Sequence, residues 1–138
     1  MDISTSIVTE KSITISDGIV KHFSATLRKK LPKEIVVKEI SAAESRGINR
    51  EYRGRDKPAN VLSFFYSKEY GEILVCPEVI WREAKERGNT QEFQMTWMIV
   101  HGMIHLAGVH HEKSAKAERK VEDMERKILG KLFPEKKI

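Results

Sequence analysis

Residues 93–111 contain no aspartate, glutamate, lysine or arginine, in a chain that is 33% charged. A run of this length approaches what a bilayer needs, and a core helix is the other way to hide it. Gln94, Thr96 and four histidines lie inside the run. In lipid each would be costly unless paired. The segment is therefore read as a buried core helix of a soluble protein.

The remaining composition fits that reading. With 138 residues the chain has the size of one domain, spanning 1–138. A domain of this length buries enough surface to fold without a disulfide or a metal. Cys76 is the single cysteine, which excludes an intrachain disulfide framework and favours a reducing compartment. Residues 1–5 show neither a basic nor an apolar signal region, so no secretory leader is expected and the cytoplasm is the expected location. Lys and Arg total 25 against 20 Asp and Glu, a net +5 compatible with a phosphate-rich partner.

Local patterns give the element order. A short β-branched strand is expected at 3–8. Ser16 is placed to cap a helix reaching Leu31, with Ile19, Val20, Phe23, Leu27 and Leu31 on one stripe and Pro32 as its stop. Residues 34–40 read as a strand. Ser41 and Glu44 have capping-box spacing and open a helix to about Arg50. Residues 51–60 are charged and turn-rich, hence a loop. Strands follow at 61–66 and 72–76. Pro77 then opens a helix ending near Gly88, the core helix runs from 91 to 107, and an amphipathic helix covers 114–132. Strands gather in the first half and helices in the second. The expected class is α+β, a small mixed β-sheet covered by helices.

Four of the five histidines fall between positions 101 and 111. His101 and His105 are four apart, so they share one helical face and can approach a cation from the same side. Gly108 breaks the helix, and His111 can return to supply a third nitrogen, with the adjacent His110 as a competitor. Three imidazoles and an open position suit a catalytic zinc better than magnesium. The H-x3-H-x5-H spacing matches the metzincin peptidases, H-E-x-x-H-x-x-G-x-x-H. Those enzymes carry a glutamate base after the first histidine, and Gly102 stands there instead. Ordinary metallopeptidase chemistry therefore lacks its base.

Arg53, Arg55 and Lys57 cluster ahead of the VLSFF strand, a spacing suited to phosphate contacts. Two blocks now resemble the YbeY endoribonucleases, also called ribosomal RNA maturation factors. Residues 49–64, NREYRGRDKPANVLSF, are similar to the family's N-x-x-Y-R-G-K-D-K-P-T-D-V-L-S-F. Residues 101–111, HGMIHLAGVHH, are similar to its H-G-x-L-H-L-x-G-Y-D-H. GEILVC between them is similar to its G-D-I-x-I strand, and Met124-Glu125 suits its last helix. The resemblance implies one zinc per chain held by His101, His105 and His111, with Arg53 functional. It also implies a cytoplasmic role in ribosomal RNA processing, at the small-subunit 3′ end, and in ribosome quality control.

The implied partners are ribosomal RNA, the small ribosomal subunit and ribosome-associated proteins; neither DNA nor a membrane is expected. Arg55 and Lys57 would position the RNA backbone. The family's Tyr-Asp before the last histidine is Val109-His110 here, its Thr-Asp before VLSF is Ala59-Asn60, and the Asp of its strand motif is Glu72. Two other readings share the metal pattern: a zinc-dependent peptidase or amidohydrolase, and a ribosome-binding factor whose zinc is structural.

Overall fold

A computed structural model describes residues 5–9, 18–109 and 114–136. Four strands form one sheet in the order β1-β2-β4-β3: β1 (Ser6–Thr9), β2 (Glu34–Glu39), β3 (Val61–Phe65) and β4 (Tyr70–Val75). The pairs β1–β2 and β2–β4 are parallel, and β3–β4 is an antiparallel hairpin. The sheet is thus mixed, and with the helices that follow it gives the expected α+β class.

Alternation along the strands divides the sheet into two unlike faces. Ile35, Val37, Ile73 and Val75 share one face and are fully buried. Helix α4 (Gln91–Leu106) packs on β3 and β4. It is the uncharged segment, and Phe93, Met95, Met98, Ile99, Val100, Met103 and Ile104 bury it on nearly every side. Helices α3 (Pro77–Arg87) and α5 (Ala115–Leu132) enclose α4 from outside the sheet. The opposite face carries Val8, Lys38 and Glu34 and stays partly open, while Leu62 and Leu74 on it are buried.

The strand expected at 3–8 is Ser6–Thr9, with residues 3 and 4 outside the described ones, and three further boundaries differ from expectation. The helix expected from Ser16 to Leu31 is interrupted, and Ser16 itself lies outside the described residues. A 3₁₀ turn, Val20–His22, precedes α1 (Ala25–Lys30). The break falls where extended Ser24 accepts a hydrogen bond from the Leu27 amide and starts a new helix. Ile19, Phe23, Leu27 and Leu31 still point inward, so the apolar stripe persists although the helix does not. Helix α2 (Ala42–Arg53) runs past Arg50 until Gly54 adopts a left-handed φ of 67° and ends it. Arg53 therefore belongs to a helix and not to the loop. Strand β4 begins at Tyr70, two residues early, because Tyr70 and Gly71 pair with Glu34 and Ile35.

Candidate active site

The basic side of the site is built on α2. Ser41 and Glu44 close a reciprocal capping box at its start. Farther along, buried Ser45 and Asn49 fasten the loop that follows. The Ser45 hydroxyl accepts from the Ala59 amide and donates to the Ala59 carbonyl, both at 2.8 Å. Asn49 Nδ2 donates to the Lys57 carbonyl at 2.8 Å. Arg46 grips Asp56 with two bonds of 2.8 and 3.0 Å. That guanidinium holds the Asp56 carboxyl below the usual carboxylate range. The loop is thus pinned at its backbone; Arg55 and Lys57 extend from it, and Arg53 from the last turn of α2, all with exposed side chains.

Helix α4 supplies the opposing side. His101 and His105 lie one turn apart with ring centroids 4.5 Å from each other. On α5, Glu125 is only 6% exposed. Its Oε1 lies 3.2 Å from His101 Nδ1, and its Oε2 accepts the Trp97 indole N–H. An ionised carboxylate only accepts, so with Glu125 in that form the contact is met by a proton on His101 Nδ1. The Arg87 guanidinium covers a face of the Trp97 ring at 4.9 Å.

Both sides open into one cavity of about 790 Å³. Arg53, Arg55, Lys57, His101, His105 and Glu125 all line it. Gly102 explains how α4 comes so near the sheet. A Cβ there would stand 2.9 Å from Ser63 Oγ and 3.1 Å from Ile73 Cγ2. Ser63 Oγ–H also donates to the Gly102 carbonyl at 3.2 Å. Position 102 therefore has no room for the glutamate of a metallopeptidase.

The fold carries a domain like that of a solution structure of a Thermotoga maritima protein, with a TM-score of 0.60 at 26% identity over 95% of this chain and 90% of that one. The family model described as Endoribonuclease YbeY matches residues 2–133. The chain belongs to the YbeY family. Relatives named Endoribonuclease YbeY include one from Halorhodospira halophila, 43% identical over 72% of this chain and 70% of that protein. Another, from Thermotoga maritima, is 36% identical over 88% of each. Membership supports an endoribonuclease role, within the nuclease class of hydrolases.

The two family blocks, separate in sequence, line the same cavity. The substituted positions fall in different places. Ala59 holds the loop through backbone atoms alone, and Asn60 Nδ2 donates to Glu83 at 3.0 Å. Glu72 lies on the open face of the sheet, bonded to Lys38, Tyr66 and Tyr70. His110 and His111 lie outside the described residues. Among the described residues no group of three His, Cys, Asp or Glu gathers around one point as a metal site. His101 and His105 nonetheless fit two imidazole ligands, since one is already oriented by a carboxylate in the manner common to metal-bound histidines.

Sequence reasoning missed two members of this site. Trp97 reads as a core residue, yet it lines the cavity and holds Glu125. Glu125 falls on the apolar stripe of α5, between Val121 and Ile128, where a charge is out of place. That misplaced charge was the available signal. Cys76 is buried at the N-terminus of α3.

Proposed function

We propose that the protein is a zinc-dependent, single-strand endoribonuclease that processes ribosomal RNA in the cytoplasm, at the 3′ end of small-subunit RNA, and contributes to ribosome quality control. The observation that carries this reading is the facing of Arg53, Arg55 and Lys57 across one cavity from the His101–His105 pair. His101, His105 and His111 are the residues proposed to hold one zinc ion. When bound, zinc supplies Lewis acidity toward a phosphate oxygen or a water.

The chain's own residues would do the rest. Glu125, as an ionised acceptor, would hold the His101 proton on Nδ1 and fix the orientation of the ring. Arg53 stabilises the negative charge that builds on the phosphate oxygens during hydrolysis. Arg55 and Lys57 hold flanking phosphates and fix the register of the strand without reading bases. Because α2 clamps the loop through Ser45 and Asn49, these cations are positioned before RNA arrives. The packing at Gly102 disfavours the peptidase reading, whose base would stand there.

Zinc per chain and cleavage of unstructured RNA should be measured together. The wild type is expected to hold about one zinc, and the H101A/H105A/H111A variant none. Arg53→Ala should keep its zinc and lose cleavage by roughly a hundredfold or more. Zinc retained without any RNA cleavage would favour a ribosome-binding factor, and no zinc uptake at all would remove the chemistry.

A further inference from the structure

On the open face of the sheet, aromatic side chains form a continuous row. Phe64 on β3 and Tyr66 just beyond it share a face, because their positions differ by two. Tyr70 and Glu72 lie on the same face of the neighbouring β4, where Glu72 pairs with Phe64. Tyr52, from the last turn of α2, meets the Phe64 ring edge-on at 5.5 Å. Phe64 and Tyr66 stack at 6.5 Å, and Tyr66 and Tyr70 lie 5.7 Å apart. Four rings thus run from α2 across the hairpin.

Two of these rings are open to solvent, and Phe64 and Tyr70 are half-buried. Tyr52 is 66% exposed and Tyr66 61%. Glu72 accepts from the Tyr66 hydroxyl at 3.1 Å and from the Tyr70 hydroxyl at 2.6 Å. Lys38 Nζ donates to the same carboxylate at 2.8 Å. The carboxylate's charge is thereby balanced, and the two phenol tips are tethered while ring surface remains bare. Aromatic groups fixed in place lose little freedom on binding, so contact with them is converted efficiently into affinity.

Two observations select the occupant. The row is continuous with the cavity, because Tyr52 and Phe64 line it beside Arg53. The cations at its inner end, Arg53, Arg55 and Lys57, suit a phosphate backbone. Stacking on aromatic rings beside a cationic groove is the way proteins hold single strands irrespective of sequence. We infer that the Tyr52–Phe64–Tyr66–Tyr70 row is a stacking track for the bases of the single-stranded RNA leaving the catalytic cavity. The inference rests on the endoribonuclease reading and adds to it a path for the substrate and a contact outside the reacting centre.

A length series of single-stranded RNA tests the track. KM and kcat are measured for a short oligonucleotide that fills only the cavity and for one extended in either direction. The extended RNA should bind roughly tenfold more tightly to the wild type, an advantage that Tyr66→Leu abolishes and Tyr66→Phe retains. Replacing the added nucleotides by abasic units should mimic Tyr66→Leu and add nothing to it. The short RNA should be cleaved alike by all three proteins. Equal affinity of wild type and Tyr66→Leu for extended RNA, with cleavage intact, overturns the track and leaves the nuclease reading standing; the face would then suit a protein partner. Failure to bind or cleave any RNA overturns both.

Discussion

Glu125 is the residue on which the histidine side of the cavity turns. Buried carboxylates are costly unless their oxygens are engaged, and here each oxygen has a ring nitrogen for a partner. Glu125→Gln preserves the shape, but its amide end can no longer accept from one of the two rings. Zinc affinity is expected to fall about 10- to 100-fold with the fold intact, read by competition with a chromogenic chelator. The histidines themselves were legible in the sequence because their four-residue spacing is a property of any helix. Glu125 was not, since the partners that make it tolerable, Trp97 and His101, come from another helix 28 and 24 positions earlier. A burial pattern shows that a charge is unusual and cannot name what neutralises it.

At the scale of elements, the contact between α4 and the β3–β4 hairpin fixes how far the histidines stand from the sheet. Gly102→Ala places a methyl group against Ser63 and the branched side chain of Ile73, both held in the strands. The gain in helix propensity is about 1 kcal/mol, and overpacking costs about 1–3 kcal/mol. Thermal melting should show a net loss of stability. Ser63→Gly in the same chain should recover part of it by removing the nearer of the two contacts. Element types were mostly readable from the sequence, whereas their ends depended on capping. Charge made 51–53 look like a loop, but a helix continues through polar residues until one can leave it, here Gly54. Ser24 did the reverse, opening a helix inside an uninterrupted apolar stripe.

For the whole molecule, the cavity lining combines Arg53, Arg55 and Lys57 with Arg82 and Arg87 of α3 and with Glu118, Glu122 and Glu125 of α5. A net charge of +5 draws a polyanion toward the protein. If Arg53, Arg55 and Lys57 each neutralise one phosphate, the logarithm of RNA affinity should fall against the logarithm of salt with a slope of about −2. Lys57→Ala should reduce that slope by about 0.7. Anisotropy titrations over a range of salt concentrations give both values. No helix among the described residues is long and apolar enough to cross a membrane, and α4 is buried in the core. The meeting of the two motifs in one cavity was beyond sequence reading from spacing alone, because the sheet and not the local pattern brings α2 opposite α4.

The tight seam at Gly102 also limits where descent with modification can take this scaffold. On paper a single glycine-to-glutamate change would complete the peptidase motif and offer a new chemistry. In the folded chain that change meets Ser63 and Ile73 before it meets any substrate. Residues on the strands would have to shrink first, with no catalytic reward for the lineage that carried them. The packing of one helix on one hairpin thus keeps two neighbouring chemistries apart, although a single codon separates their motifs.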